Sequence, residues 1–312
     1  MSSVDIEISE VGPRDGLQSI STIMPTEAKK RWITALAEAG IPEIEVGSYV
    51  PAKILPQLAD TDQIAAHANA IPGLAVAVLV PNLRGAENAL KVGADKITIP
   101  LSTSETHSLK NVRRTHAEML EEVRRIRELI NSYPAEQRPK FEGGLSTAFG
   151  CTLEGNVPED IVVRLAVALM EAGCDEVGLS DTTGFGSPVQ VTRLTKKIWD
   201  AVGRDKMTGI HLHNTRGQGL ANVLAAVEVG LTTVDASMGG VGGCPFAPGA
   251  SGNIVTEDLV FLLESMGLKT GINFEKLMLA REIMAEALPG VPLYGFTPDA
   301  GLPKGFTMAT PQ

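Results

Sequence analysis

Short apolar runs alternate with longer segments of helical period along the whole chain. The runs 5–10 (DIEISE), 43–47 (EIEVG), 74–80 (LAVAVLV), 95–99 (DKITI), 140–147, 175–180 (DEVGLS), 208–213 (TGIHLH) and 233–237 (TVDAS) are rich in β-branched residues or alternate with period two. Each reads as a strand. Between and after them, segments 26–39, 55–68, 84–92, 111–131, 158–172, 187–201, 217–229 and 255–266 read as helices. Four helical segments end on glycine directly before a strand: EAG-IPEIEV, KVG-ADKITI, EAG-CDEVGL and EVG-LTTVDA. Glycine is suited to that place because a left-handed residue closes the helix there.

Eight β–α units in 312 residues predict an α/β chain folded as one (β/α)8 TIM barrel over 1–312. Residues 273–295 read as one or two extra helices outside the barrel, so 273–312 form peripheral C-terminal helices and a tail. No Pro/Ser-rich linker divides the chain. The competing architecture is a doubly wound open sheet. The strand count and the lack of a GxGxxG turn after the first strand weigh against it. In a barrel, chemistry belongs at the C-terminal strand ends and the loops that follow.

Composition narrows the function classes. The chain is 44% hydrophobic and 21% charged, as an ordinary globular protein is, and its net charge of −10 disfavours nucleic acid or an anionic membrane as partner. No apolar run approaches the ~20 residues that span a bilayer. The opening MSSVDIEISEVGPRDG enters a strand pattern at once, with neither a secretory nor a transit segment ahead of it. Three cysteines (Cys151, Cys174, Cys244) make no disulfide framework, so the expected location is a reducing cytoplasm.

The chemistry concentrates in three strand-end stretches. In IHLHNTRG (210–217), His211 and His213 share one face of a strand, a compact ligand pair for a divalent metal; the plain alternative is two structural histidines. In EVGPRDGLQ, Arg14 and Asp15 place a cation beside an anion at the barrel mouth, suiting a metal ligand next to a carbonyl-polarising group, although Pro and Asp-Gly are also common turn residues. The stretch MGGVGGCPFAPGASGN (238–253) has six glycines in sixteen residues, the composition of a lid or close-approach loop. Cys244 within it is a candidate proton donor or acceptor. Asn253 offers an amide oxygen that would complete a hard-metal shell, better suited to Mg2+ or Mn2+ than to structural zinc. Glu45 in IEIEVGSYV reads either as a buried partner of Arg14 or as a proton-transfer group. Arg216 reads either as a partner of Asp181 or as a fork for a substrate carboxylate.

Together these residues resemble the 3-hydroxy-3-methylglutaryl-CoA lyase family of metal-dependent TIM-barrel lyases, over about residues 4–300. VGPRDGLQ carries the family's Arg-Asp motif, IEVGSYVP its Glu-x-x-Ser segment (Glu45, Ser48), and GCPFAPGASGN its cysteine loop. Synthase relatives share the first motif and the histidine pair, lack the cysteine loop and carry a long C-terminal region. With that loop present and the sequence closing at Gln312, a lyase is expected. The resemblance implies that Asp15, His211, His213 and Asn253 hold the metal. It implies that Arg14 stabilises an enolate, Glu45 supports proton transfer and Cys244 protonates the acetyl-CoA carbanion. It further implies an acyl-CoA substrate contacted by Asn111, with Ser48 in a family motif, Glu257 behind the ligands, and a homodimer. Arg14, Gln18, Ser48 and Arg216 are candidate substrate contacts and Asp181 a candidate residue behind the ligands. The chain departs from the family pattern at Asn214-Thr215-Arg216 and at Ser19-Ile20-Ser21. A related tertiary 3-hydroxyacyl-CoA, such as citramalyl-CoA or a longer-branched 3-hydroxyglutaryl-CoA, is the alternative substrate. A non-catalytic barrel is the alternative outside enzymology.

Overall fold

A computed structural model describes residues 4–242 and 252–311. Eight parallel strands close into a barrel in chain order: β1 (Glu7–Glu10), β2 (Glu43–Ser48), β3 (Ala75–Leu79), β4 (Lys96–Ser102), β5 (Lys140–Ser146), β6 (Glu176–Asp181), β7 (Gly209–Leu212) and β8 (Thr233–Ala236). The crossovers are α1 (Thr26–Glu38), α2 (Thr61–Asn69), α3 (Leu83–Val92), the pair α4 (Glu105–Asn111) and α5 (His116–Asn131), α6 (Glu159–Ala172), α7 (Pro188–Val202) and α8 (Gly219–Val229). The helix α9 (Thr256–Ser265) follows β8. Of the later helices, α10 (Phe274–Ala287) packs on α1 and α11 (Phe296–Ala300) on α9. The expected TIM barrel is therefore the observed fold. Gly93, Gly173 and Gly230 close α3, α6 and α8 at φ of 72°, 115° and 110°, which explains glycine at those junctions.

Two helical expectations differ in detail. Segment 55–68 breaks into a short 3-10 turn (Pro56–Leu58) and α2. Lys29 Nζ donates to Gln57 O and Asp60 Oδ1, and Thr61 Oγ1 donates to Leu58 O, which pins the break. Segment 111–131 starts at 116, where Thr115 and Glu118 form a capping box. The shorter α4 precedes it, capped by Ser104, whose side chain accepts from His107 N–H.

The strands are built inside out relative to a simple core. In β4, Ile97, Ile99 and Leu101 are fully buried, while Lys96, Thr98 and Pro100 line an interior cavity. β5 to β8 follow the same pattern. Phe141, Val177, Ile210 and Val234 are buried on one face, with Glu142, Gly178, His211 and Asp235 lining the cavity on the other. Burying one such large apolar side chain contributes roughly 1.5–3 kcal/mol, so the apolar layer between strands and helices holds the barrel closed. The lumen is left to polar and small residues around a cavity of about 1010 Å3. At its N-terminal end Lys96 Nζ pairs with Glu142 Oε2 (2.5 Å), Glu43 Oε1 (3.5 Å) and Glu176 Oε1 (3.6 Å), and Lys140 pairs with Glu176 Oε2 (2.5 Å). Burial pushes the Glu142 carboxyl up to about 7 against the pull of Lys96.

Candidate active site

The GPRDG segment forms a single π-type turn over residues 12–16. The N–H groups of Arg14, Asp15 and Gly16 all reach Val11 O, at 3.1, 2.7 and 3.3 Å. Such turns are uncommon and concentrate at functional sites. This one presents Arg14 and Asp15 together at the C-terminal mouth. Its anchor is Glu10, buried at the end of β1, which accepts from Gly12 N–H (2.8 Å), Met238 N–H (2.9 Å) and Thr256 Oγ1 (2.7 Å). One carboxylate thereby fastens β1, the segment after β8 and the start of α9. Burial pushes it up to about 8, despite those three donors.

Arg14 forks onto two carboxylates. Nε and Nη2 each lie 2.5 Å from Glu45 Oε2, and Nη1 lies 2.6 Å from Asp15 Oδ1. Glu45 sits beside a register shift between β2 and β3, the kind of bulge that re-aims a side chain. Asp15 also accepts from Gln18 Nε2 (2.7 Å) and Asn253 Nδ2 (2.8 Å).

The two histidines meet this carboxylate. His211 and His213 point their Nε2 atoms at each other, 3.1 Å apart, and each Nε2 lies 3.9 Å from Asp15 Oδ2. One ligand atom from each of the three residues falls within 4.8 Å of the others, the only such group among the described residues. Asn253 lies beside His213 through a short bridge, and its buried Oδ1 has no hydrogen-bond partner among the described residues. A buried acceptor without a donor is costly, and a cation relieves it. The donor set fits a divalent metal. Burial alone would raise the Asp15 carboxyl, but Arg14, the two histidines and the Asn253 amide hold it down at about 2. Burial and the charge of His211 hold His213 at about 4, so it is neutral near pH 7, as a ligand must be. Burial also pulls His211 down, but Asp235 and Asp15 outweigh it and leave that imidazole above its ordinary value.

The other sequence-derived residues separate into two groups. Arg14, Gln18 and Asn111 line the cavity with Asp15, His211 and His213. Ser48, Asp181, Glu257 and Arg216 do not. Ser48 is buried, with its Oγ accepting from Val50 N–H. Asp181 accepts from Phe185 and Gly186 N–H and holds the turn after β6. Arg216 donates to Thr183 O and Gly184 O, both at 3.0 Å, and stacks on Phe185 at 4.4 Å. It therefore neither pairs with Asp181 nor reaches the lumen. Glu257 pairs with Arg281 (2.5 Å) and accepts from Gly239 N–H, bracing the root of the Gly-rich stretch. Cys244 lies outside the described residues. Sequence reading missed Glu10, Asp235 and Arg281. Asp235 shares the face of its strand with the lumen, and His211 Nδ1 lies 3.1 Å from its Oδ2.

The comparisons agree with this geometry. The HMGL-like family model matches residues 5–284. Hydroxymethylglutaryl-CoA lyase YngG of Bacillus subtilis is 40% identical over 288 residues, covering 92% of this chain and 94% of that one. The mitochondrial hydroxymethylglutaryl-CoA lyase of Gallus gallus is 38% identical over 91% of this chain and 93% of its own. Among solved structures, an HMG-CoA lyase from Acinetobacter baumannii in complex with coenzyme A and 3-methylmalate superposes with a TM-score of 0.90 at 37% identity, covering 98% of this chain and 99% of that one. An eight-stranded barrel with an Asp-His-His cluster at its mouth, matched along nearly its whole length by these proteins, makes this chain a member of the HMGL-like family of 3-hydroxy-3-methylglutaryl-CoA lyase relatives.

Proposed function

We propose that the protein is a divalent-metal-dependent carbon–carbon lyase that cleaves 3-hydroxy-3-methylglutaryl-CoA to acetyl-CoA and acetoacetate. The observation that carries this reading is the convergence of Asp15, His211 and His213 at the cavity mouth, with the Arg14–Glu45 pair and the Asn253 amide both bonded to that cluster through Arg14 and Asp15. Carboxylate, imidazole and amide donors suit Mg2+ or Mn2+. When bound, such an ion acts as a Lewis acid that acidifies and orients the C3 hydroxyl.

The chain's own groups then divide the remaining tasks. Asp15, held at about 2, is a poor base and a good ligand. Glu45 is raised by burial, with Arg14 opposing, and keeps Oε1 free of partners among the described residues; it is the group suited to take the hydroxyl proton. As the C2–C3 bond breaks, its electron pair moves to C2 and the thioester enolate forms. Arg14 supplies positive charge where that oxygen develops. Cys244 returns a proton to C2. Lys110, Asn111, Arg113 and Arg114 line the mouth of a chain whose net charge is −10, and this basic rim suits the phosphates of coenzyme A.

The test is acetyl-CoA release from 3-hydroxy-3-methylglutaryl-CoA by chelated protein before and after adding Mg2+ or Mn2+, with citramalyl-CoA run in parallel. Activity is expected only with metal and foremost on the methylglutaryl substrate. Full turnover in metal-free protein, or no release from any 3-hydroxyacyl-CoA, would overturn the reading.

A further inference from the structure

The two imidazoles at the mouth are not held alike. His213 Nδ1 is buried with no partner among the described residues, whereas His211 Nδ1 lies 3.1 Å from Asp235 Oδ2. β7 and β8 place His211 and Asp235 directly opposite each other in the parallel ladder, so backbone pairing fixes their separation. Both side chains line the lumen. An imidazole can offer a lone pair at Nε2 in its neutral form only if Nδ1 carries the proton, and an acceptor at Nδ1 selects that tautomer.

We infer that Asp235 is a positioning residue for the metal cluster: its carboxylate holds His211 as the Nδ1–H tautomer and fixes the ring plane, so that Nε2 faces Asp15 and His213. The inference rests on the metal reading above. Asp235 touches none of the three ligand atoms' meeting point itself; it acts through His211. The carboxylate is partly exposed to the lumen, at 30%, so substitution there leaves the apolar layer intact.

The test uses the full-length chain and two variants, Asp235→Asn, which retains an oxygen acceptor, and Asp235→Ala, which does not. Mn2+ affinity is measured directly by titration calorimetry, and the tautomer of His211 by 15N–1H NMR of the metal-free protein at a pH high enough for the ring to be neutral. The expected result is an Nδ1–H signal for His211 in the parent and in Asp235→Asn, lost in Asp235→Ala. Mn2+ binding should be about 10–100-fold weaker in Asp235→Ala and largely recovered in Asp235→Asn. An Nε2–H tautomer in the parent, parental Mn2+ affinity in Asp235→Ala, or Asp235→Asn as weak as Asp235→Ala overturns the inference. A parent chain that binds no Mn2+ overturns the metal reading, and the tautomer measurement still decides the role of Asp235 if Asp235→Ala fails to fold.

Discussion

Replacing Arg281 with methionine removes the cation from Glu257, a carboxylate with no exposed side-chain surface. The same change deletes donors to Tyr294 O and Leu293 O. Breaking a buried pair by removing one partner costs about 3–5 kcal/mol, because the remaining charge is stranded. Unfolding entropy is about 2.1 cal/mol/K per residue, so over the chain's 312 residues a loss of about 4 kcal/mol lowers Tm by about 6 °C. The pH dependence identifies the cause. Burial already holds Glu257 above its ordinary value, with Arg281 the largest opposing influence, so the substitution raises it further. A folded-state pKa above the unfolded value of about 4.3 means that stability is present below that value and is lost as pH rises towards the folded pKa. The deficit of Arg281→Met should therefore be smallest near pH 4–5. It should grow by up to about 1.4 kcal/mol per pH unit until Glu257 ionises in the folded state. Urea unfolding of parent and variant across pH 5–8, with the m-value checked for constancy, measures this. Glu257→Gln combined with Arg281→Met should cost less than Arg281→Met alone at pH 8. A deficit below about 1 kcal/mol, or one that does not change with pH, would refute the argument.

Other outcomes follow from the site. His213→Ala should abolish Mn2+ binding while circular dichroism and the melting profile stay close to the parent, since the barrel is closed by the apolar layer and not by the lumen. Arg14→Lys should lower kcat/KM by roughly 10²-fold or more, because a lysine cannot span Glu45 and Asp15 as the guanidinium does; steady-state kinetics at saturating metal measures it. Cys244→Ala should cut kcat by roughly 10²–10⁴-fold with little change in substrate binding if the thiol returns the proton to C2. Arg216→Tyr should alter all acyl-CoA substrates by one common factor in kcat/KM, because Arg216 holds the backbone after β6 and does not reach the lumen; a changed preference among substrates would contradict that.

The barrel was legible in the sequence because its strands carry apolar residues on the helix-facing side and its αβ junctions carry glycine. The seven-residue α4 is too short to show a helical period, and the break at 59–60 depends on Lys29, which lies in another helix. The site was legible where chemistry is local, as in His211-x-His213 and Arg14-Asp15. It was not where a role depends on neighbouring strands. In TVDAS, Asp235 looks like an ordinary strand residue until the β7–β8 register sets it against His211. Glu10 gains its role only when three distant donors close on it. Ser48 and Arg216 show the opposite case. Motif position marked them, but their polar atoms are engaged by nearby backbone groups, a matter of orientation that a motif does not encode.

The polar lumen also gives the barrel an electrical direction along its axis. Lys110, Arg113 and Arg114 gather at one end, while at the other Glu43, Glu142 and Glu176 outnumber Lys96 and Lys140, with Asp235 between the two. A long ligand with a multiply anionic head and a less charged stem is sorted by this field. The head lowers its energy at the basic rim and raises it with every step towards the acidic floor, so the stem leads and the head stays behind. Selection of that kind acts on orientation before any specific contact forms. It weakens with added salt at the exposed rim far more than within the lumen, since ions screen surface charges first.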